Sequence, residues 1–224
     1  MIKEKGKGLL IVVSGPSGTG KGTICKRIEN DLDNIKISVS MTSREPRKNE
    51  VNGKDYYFVT KEEFERSIKN NKFLEYAIVH SGNYYGTPKS KIEDYINNGI
   101  SVILEIDIQG ALKVKELIKD AIFIFIMPPS MEILKERLIN RNSETEDKII
   151  ERFKTAYKEL NEYKKYNYVV VNDDLEETVD KVKSIILAEK CRVDRIEDIY
   201  LNNTEEVIHE ELMDKEFDNK EIDL

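Results

Sequence analysis

The sequence predicts an α/β fold in which a parallel β-sheet is flanked by helices. Short apolar runs rich in β-branched residues occur at Leu9–Val13, Ile100–Ile106, Ile122–Met127 and Tyr168–Val171. Such runs are typical of buried strands, and a segment with helical spacing follows each of them. Because buried strands alternate with helices, we expect the strands to be parallel and joined by crossover connections.

Between the first two runs, residues 38–98 interrupt this alternation and are expected to form an inserted lobe. Turn signals at Pro46 and at Asn52-Gly53 predict irregular structure and short strands over residues 36–60. Thr60 and Glu63 form a capping box that opens a helix.

The elements predicted in order are a helix over Ile24–Leu32, a helix from Thr60 to about Asn70, a strand over Phe73–Val79, a turn over Gly82–Gly86 and a helix from Pro88 to about Asn98.

The second half of the chain is predicted to be helical between its strands. Helices are expected at 109–118, 130–141 and 145–165. A last helix is expected over Leu175–Lys190, continued as a short helix through Tyr200. Residues 8–37, 99–128 and 167–200 are therefore predicted to form the core, and residues 201–224 follow it as a tail.

Composition and charge exclude several classes of protein. The chain has 224 residues, 39% of them hydrophobic, which suits one α/β domain with insertions or at most two small domains. Residues 201–224 hold nine acidic residues and two lysines, which accounts for the whole net charge of −7. The first 200 residues are therefore neutral overall and lack the basic field of a nucleic-acid-binding domain. We expect no nucleic-acid partner, and any anion site must be local.

Cysteine usage and the N-terminal segment predict the cellular compartment of the protein. Cys25 and Cys191 do not suggest a disulfide framework or a metal cluster. The run Leu9–Val13 is too short for a signal sequence or a membrane span. We therefore expect a reduced, cytoplasmic protein without a membrane partner. The acidic tail is expected to be solvated, and the spacing of Ile208 and Leu212 leaves a short partner-binding helix as the alternative.

A glycine-rich turn joins the first strand to the first helix. It contains Gly15, Pro16, Ser17, Gly18, Thr19, Gly20, Lys21, Gly22 and Thr23, and we call it the phosphate cradle. Its glycines let the backbone N–H groups converge on one anion, and the positive end of the following helix points to the same place. Lys21 adds a cation for the outer phosphates. We predict that the cradle holds ATP; the alternative is an ordinary glycine-rich turn.

One position departs from the usual form of this motif. The residue after the lysine is normally Ser or Thr, whose hydroxyl contacts Mg²⁺, and here it is Gly22 followed by Thr23. Either Thr23 supplies the hydroxyl, or Mg²⁺ is held mainly by phosphates and water.

The inserted lobe carries residues suited to a second, anionic substrate. Arg44 and Arg47 lie across a proline turn and could grip one phosphate. Glu75 is a carboxylate in an apolar strand, where it needs donors; a guanine edge offers N1–H and N2–H₂ together, and an adenine edge does not. Each signal is weak alone, since surface arginines are commonly solvated. The full set is Ser40, Arg44, Arg47, Tyr56, Glu75, Tyr84, Tyr85 and Thr87, and the Tyr84-Tyr85 pair could instead belong to the core of the lobe.

Several motifs taken together resemble the guanylate kinase family over roughly residues 8–190. They are Ser14–Lys21, Ser38–Ser40 with Thr42–Arg47, Glu50–Tyr56, Gly82–Gly86, Ile106–Gly110 and Val171–Asp174. The resemblance implies a P-loop NTPase-type sheet, a GMP-binding lobe at 38–98 and a helical lid at 129–166. It implies transfer of the γ-phosphoryl group of ATP, with its Mg²⁺, to GMP, giving ADP and GDP.

The resemblance also implies roles for individual residues. The GMP phosphate would be held by Arg44, Arg47, Tyr56 and Tyr85. Guanine would be surrounded by Ser40, Glu75, Thr87 and Asp107. Near Mg²⁺, the resemblance implies Glu105, where the family often has Asp; Thr23 remains the candidate hydroxyl ligand named above. Asn172 matches a position that contacts the lid or the nucleotide, and a loop-capping role is the alternative.

Transfer to an acceptor that is already a phosphate anion needs positioning and charge neutralisation rather than a strong base. Arg137 and Arg141 lie four residues apart on one predicted helix and share a face, and Arg152 lies on the next. They match the family's lid arginines; without that match, an exposed pair bridging to Glu136 or Glu144 is the simpler interpretation. The residues expected to act in catalysis are Lys21, Arg44, Arg137, Arg141 and Arg152.

Two other functions stay open at this point. A guanylate-kinase-like binding module would recognise a phosphopeptide without catalysis, but such modules are expected to lose the cradle lysine or the lid arginines, which this chain keeps. A kinase for a different phosphorylated acceptor is the second alternative, and Glu75 with Ser40 argues for guanine. Nothing in the sequence indicates an oligomeric state.

Overall fold

A five-stranded parallel sheet forms the centre of the structure, a computed structural model that describes residues 7–47, 49–79, 82–139 and 146–195. Its strands are β1 (Leu10–Ser14), β2 (Ile35–Ile37), β7 (Ser101–Glu105), β8 (Ile122–Met127) and β9 (Tyr168–Val171). Their order is β2-β7-β1-β8-β9. The central strand β1 is buried along its whole length, as its continuous apolar sequence requires.

Seven α-helices connect the strands within the described residues. They are α1 (Lys21–Asp31), α2 (Lys61–Lys69), α3 (Lys89–Asn97), α4 (Ile108–Leu117), α5 (Met131–Ile139), α6 (Glu146–Leu160) and α7 (Leu175–Lys190). Short 3₁₀ helices occur at Asn161–Lys165 and Val193–Arg195. None of the helices in the described part of the chain has the length and apolar composition needed to cross a membrane.

The core lies on both faces of the parallel sheet because successive side chains of a strand point to opposite faces. On one face, Ile11 and Val13 pack in a cluster that includes residues of α1 and α7. On the other face, Leu10 and Val12 pack with Ile92 of α3 and with residues of α4. The sheet is therefore covered by helices on both sides.

A second, four-stranded sheet is built from residues between β2 and α3. Its strands are β3 (Met41–Thr42), β4 (Tyr57–Phe58), β5 (Phe73–Val79) and β6 (Asn83–Pro88), in the order β4-β3-β6-β5. Strands β5 and β6 are antiparallel. The ring of Phe64 on α2 stacks on Phe73 and Tyr84, with ring centroids 4.4 and 5.1 Å apart. This sheet lies in the segment predicted to be an inserted lobe; the domain boundaries drawn from the sequence stay a prediction.

The predicted α/β class with a parallel sheet is confirmed, but the sequence did not place two of the strands, β6 and β2. The turn predicted over residues 82–86 is limited to its start: Gly82 lies in a turn, whereas Tyr84, Tyr85 and Gly86 belong to β6 and pair with β5. The parallel sheet has a fifth strand, β2, which pairs with β7; the sequence predicted irregular structure with short strands from residue 36 but placed none of them in this sheet. Both strands are specified by partners distant in sequence, which local patterns do not reveal.

Several predicted element ends also differ from the structure. Strand β9 is an edge strand, so Val169 and Val171 are 48% and 46% exposed rather than buried. The helix predicted over 145–165 becomes a 3₁₀ helix after Leu160, and α7 ends at Lys190. Residues 7–189 form one compact unit, and 190–195 are the described part of a second. The predicted helix through Tyr200 and the tail at 201–224 lie largely or wholly outside the described residues.

Candidate functional site

The phosphate cradle occupies the connection between β1 and α1, and its glycines are required by geometry. Gly15, Gly18 and Gly20 have φ angles of 146°, 91° and 86°. A Cβ atom at Gly15 would lie 2.3 Å from the carbonyl oxygen of Ile126, and one at Gly20 would lie 2.5 Å from Nδ2 of Asn172. A larger residue would therefore meet both an unfavourable backbone conformation and a steric clash.

Lys21 lies at the first position of α1 and folds back over the turn. Its Nζ donates hydrogen bonds to the carbonyl oxygens of Gly15 and Pro16, at 2.6 and 2.9 Å. The Thr19 hydroxyl also donates to Pro16, at 2.9 Å. The N-cap residue of α1 is Gly20, which has no side chain with which to cap the helix, and the first N–H groups of a helix have no acceptor within the helix. The cradle thus combines an ammonium group with a helix N-terminus, which favours an anion.

Glu105 stands beside the cradle at the end of β7, in register with Val13 of β1. A Cβ atom at Gly22 would lie 3.3 Å from each carboxylate oxygen of Glu105. The lack of a side chain at position 22 therefore has a steric explanation, because it leaves room for the Glu105 carboxylate. Thr23 follows in the first turn of α1 and is exposed. Among the described residues, no group of three or more His, Cys, Asp or Glu side chains could hold a metal ion by itself.

Asn172 and Arg137 link the cradle to α5. The buried side chain of Asn172 donates to the carbonyl oxygen of Thr19 at 2.7 Å. The carbonyl oxygen of Asn172 accepts a hydrogen bond from Arg137 Nη1 at 3.0 Å. A Cβ atom at Gly18 would lie 3.1 Å from Leu134 of α5. Arg137 is thus directed towards the cradle region, whereas Arg141 lies outside the described residues and the side chain of Arg152 on α6 is not described.

Arg44, which follows β3 of the smaller sheet, is the centre of a polar cluster with Glu50, Tyr56 and Tyr85. We call it the Arg44 cluster. Its Nη1 and Nη2 atoms donate to the two carboxylate oxygens of Glu50 at 2.9 and 2.8 Å, and its Nε donates to the Tyr85 hydroxyl at 3.0 Å. The guanidinium carbon lies 5.4 Å from the centre of the Tyr56 ring. These hydrogen bonds raise the pKa of Arg44 further and hold the pKa of Glu50 below its usual range. The backbone N–H of Arg47, whose side chain is exposed, also donates to Glu50, at 2.7 Å.

Glu50 is a further residue of this cluster, and no role for it was predicted from the sequence. An acid that follows Arg44 and Arg47 in the same short loop is the signal that would have indicated it. The predicted residues Arg44, Tyr56 and Tyr85 are brought together around the guanidinium group, and Glu50 fixes its orientation through a bidentate pair.

Glu75 is a buried carboxylate on β5, only 7% exposed. It accepts a hydrogen bond from the buried Thr87 hydroxyl at 2.7 Å. Burial raises the pKa of Glu75, and the negative charge of Asp107 adds to that rise, against the Thr87 hydrogen bond and the charge of Lys113. Asp107 accepts from the backbone N–H of Gly110 at 2.7 Å and caps α4. The structure thus brings Glu75, Thr87 and Asp107 together, and their role as a guanine site stays a prediction.

The remaining predicted residues lie close to these two clusters. Ser40 is half-buried just before β3, and its carbonyl oxygen accepts from the N–H of Tyr57 at 2.8 Å. Burial raises the pKa of the Tyr56 hydroxyl, and the charge of Glu105 raises it further. Tyr56, which directly precedes β4, is therefore within electrostatic range of the carboxylate that stands next to the cradle.

A parallel sheet with the glycine-rich phosphate cradle after its central strand defines the class of protein, a P-loop nucleotide-binding fold. A smaller sheet carries the Arg44 cluster in addition. The comparisons with known proteins narrow this class. A family model described as guanylate kinase matches residues 7–189. A guanylate kinase of Clostridium tetani is 62% identical over 208 residues, which cover 93% of this chain and 99% of the relative.

Relatives with lower sequence identity to this chain are also guanylate kinases. A guanylate kinase of Caldanaerobacter subterraneus subsp. tengcongensis is 55% identical over 204 residues, covering 91% of this chain and 98% of the relative. The crystal structure of guanylate kinase from Anaplasma phagocytophilum matches with a TM-score of 0.74 at 38% identity, covering 93% of this chain and 97% of that chain. The chain belongs to the guanylate kinase family, and the resemblance stated from its sequence motifs is confirmed.

Proposed function

We propose that this protein transfers the γ-phosphoryl group of ATP to GMP, giving ADP and GDP, with the phosphate cradle as the donor site. The observation that carries the choice of acceptor is the buried carboxylate of Glu75, held by Thr87 at the edge of the sheet that also bears the Arg44 cluster. A carboxylate buried in this way favours a partner with two adjacent N–H donors, and the N1–H and N2–H₂ groups of guanine provide them.

The phosphate of GMP is proposed to bind at the Arg44 cluster. Arg44 already has its guanidinium plane fixed by Glu50 and Tyr85, so little side-chain freedom is lost when a phosphate arrives. The exposed guanidinium of Arg47 and the hydroxyls of Tyr56 and Tyr85 complete the proposed set. Ser40, Thr87 and Asp107 are proposed to surround the base together with Glu75.

Glu50→Gln is expected to raise the KM for GMP roughly three- to tenfold, because the amide keeps the shape but loses the charge-assisted pair that orients Arg44. The KM for ATP should stay the same, since Glu50 does not contact the cradle. Steady-state kinetics with each substrate varied in turn measure both values. Glu62→Gln, an exposed acid on α2, is the control. A lower KM for GMP in Glu50→Gln would contradict the orienting role and indicate that Glu50 competes with the phosphate.

Catalysis is proposed to rest on positioning and charge neutralisation. Lys21 and the helix N-terminus would hold the ATP phosphates, and Gly15–Thr23 with Asn172 would form the ATP site. Arg137 contacts the residue that braces the cradle and is proposed to approach the transferring phosphoryl group, together with Arg141 and Arg152. Two polyanions would then meet in line within a site that neutralises their charge, which is the main requirement of phosphoryl transfer. The lid at 129–166 and the lobe at 38–98 are parts of this proposal.

Magnesium is the metal that we propose to accompany ATP. The residues present fit a hard cation that is shared with phosphates: the Glu105 carboxylate stands beside Gly22, and the Thr23 hydroxyl lies in the same helical turn. Oxygen donors of this kind suit Mg²⁺, which keeps several waters and uses few protein ligands. When bound, the ion would neutralise charge on the ATP phosphates, while Glu105 would orient it from the protein side.

A coupled assay of ADP release with GMP, AMP, CMP and UMP as acceptors tests the proposed function. We expect turnover with GMP and little with the other three, because only guanine matches both acceptor oxygens of Glu75. Equal turnover with AMP would show that the assignment of GMP as the specific acceptor is wrong. GMP binding without any turnover would instead favour the inactive binding module. The partners proposed are thus the small molecules ATP and GMP, and the proposed setting is purine nucleotide metabolism in the cytoplasm.

A further inference from the structure

The first turn of α4 lies directly against the carboxylate of Glu75. Gly110 is buried in that turn. A Cβ atom at Gly110 would lie 2.9 Å from Oε2 of Glu75 and 3.3 Å from Oδ1 of Asp107. The space that the carboxylate occupies therefore exists because residue 110 has no side chain.

Glu75 is held from its other side as well. Its Oε1 accepts from the Thr87 hydroxyl at 2.7 Å. The next residue of the strand, Tyr76, is tied to the same helix, because its carbonyl oxygen accepts from Lys113 Nζ at 2.5 Å. Helix α4 thus contacts β5 at two neighbouring positions, and the separation between helix and strand is fixed around Glu75.

We propose that Gly110 is a specificity-determining positioning residue, which sets where the Glu75 carboxylate stands and hence how it meets the guanine edge. This inference rests on the proposed function, in which Glu75 accepts hydrogen bonds from guanine. The reason is steric: with Oε1 fixed by Thr87, the second oxygen keeps its place only if residue 110 leaves the space empty.

An alanine at position 110 is expected to alter guanine recognition without preventing the protein from folding. The atom that must yield is the end of the Glu75 side chain rather than backbone, so the clash can be relieved by moving the carboxylate. Alanine also favours helix more than glycine does. The expected consequence is a displaced carboxylate in a folded protein.

Gly110→Ala is expected to raise the KM for GMP about tenfold, the effect of losing one hydrogen bond to a charged group. The KM for ATP should not change. Discrimination between GMP and IMP, which lacks the 2-amino group, should also fall, because a displaced carboxylate no longer reads both donors. Gln109→Ala, an exposed neighbour on the same helix, should leave both KM values and the discrimination unchanged.

A double-mutant cycle with Glu75→Ala provides the decisive comparison. Once the carboxylate is removed, Gly110→Ala should have no further effect on the KM for GMP; if the two effects simply add, the inference is overturned. Should Gly110→Ala fail to fold, the double variant still decides: folding restored by Glu75→Ala supports the contact, and a double variant that also fails to fold overturns it.

The inference and the proposed function fail in different ways. If the unsubstituted protein does not phosphorylate GMP, the proposed function is wrong. If it phosphorylates GMP and Gly110→Ala has an unchanged KM for GMP and unchanged discrimination against IMP, only the role of Gly110 is wrong.

Discussion

Lys21→Met is expected to lower kcat about 10²–10³-fold, the effect of removing one preorganised charged donor from a transition state. Methionine keeps most of the length of the side chain and removes the ammonium group. In the structure that group is held over the cradle by the carbonyl oxygens of Gly15 and Pro16. It is therefore already placed at the helix N-terminus, where we propose that charge develops on the transferred phosphoryl group. Steady-state kinetics with GMP at saturation measure the loss.

Lys26→Met is the matched control for this experiment. Lys26 lies on the same helix, its side chain is 72% exposed, and its ion pair with Asp55 is 3.8 Å long. Its removal should change kcat by less than about twofold, since exposed ion pairs contribute little. Thermal melting of both variants should resemble that of the unsubstituted protein. A similar loss of kcat in both variants, or no loss in Lys21→Met, would show that the cradle lysine does not act as proposed.

The cradle could be predicted from the sequence because its residues are contiguous. The strand before it and the helix after it also have strong local patterns, so Gly15–Thr23 needed no information from distant segments. The strands β1, β7 and β8 were found for the same reason. Strand β6 was missed because glycine and proline suggest a turn. The structure gives Gly86 another reason: a Cβ atom there would lie 2.9 Å from the Phe73 ring and 3.0 Å from the Phe64 ring.

The candidate acceptor site was predictable in composition but not in arrangement. The family resemblance pointed to Arg44, Tyr85 and Glu75, and the structure brings each of them into a polar cluster. The parts that it missed act only through contacts between separate elements. Glu50 matters because it pairs with Arg44 across a loop, and Gly110 because a strand from another sheet approaches its helix. Both residues lie in motifs that carry the family resemblance, but neither contact leaves a periodic signal; for Glu50 the sequence offers only an acid that follows two arginines in one loop.

Glu75→Gln is expected to lower kcat/KM for GMP about 10²–10³-fold, because a buried site built to accept two hydrogen bonds would instead present an amide N–H₂ group to a guanine donor. The KM for ATP should change little, since Glu75 lies on β5 and not in the cradle. Kinetics with each substrate varied separately measure the two effects. Equal losses for GMP and ATP would show that Glu75 supports the fold rather than reads guanine.

The raised pKa of Glu75 gives this variant a second, opposite effect on stability. Burial, with Asp107 nearby, makes the folded protein hold the Glu75 proton more tightly than the unfolded chain does. Without GMP, the free energy of unfolding should therefore fall as pH rises from the ordinary pKa of a glutamate through the raised one. Glutamine cannot ionise, so above that range the ligand-free variant should melt at a higher temperature than the unsubstituted protein.

The same group links GMP recognition to pH in the opposite sense. Guanine donors favour the ionised carboxylate, so the KM for GMP should rise as pH falls through the raised pKa of Glu75, and GMP binding there should take place with proton release. Glu75→Gln should lose both this pH dependence and the proton release, while keeping the higher melting temperature. If Glu75→Gln is less stable at every pH and keeps the pH dependence of the KM for GMP, Glu75 is not the ionising group that contacts guanine.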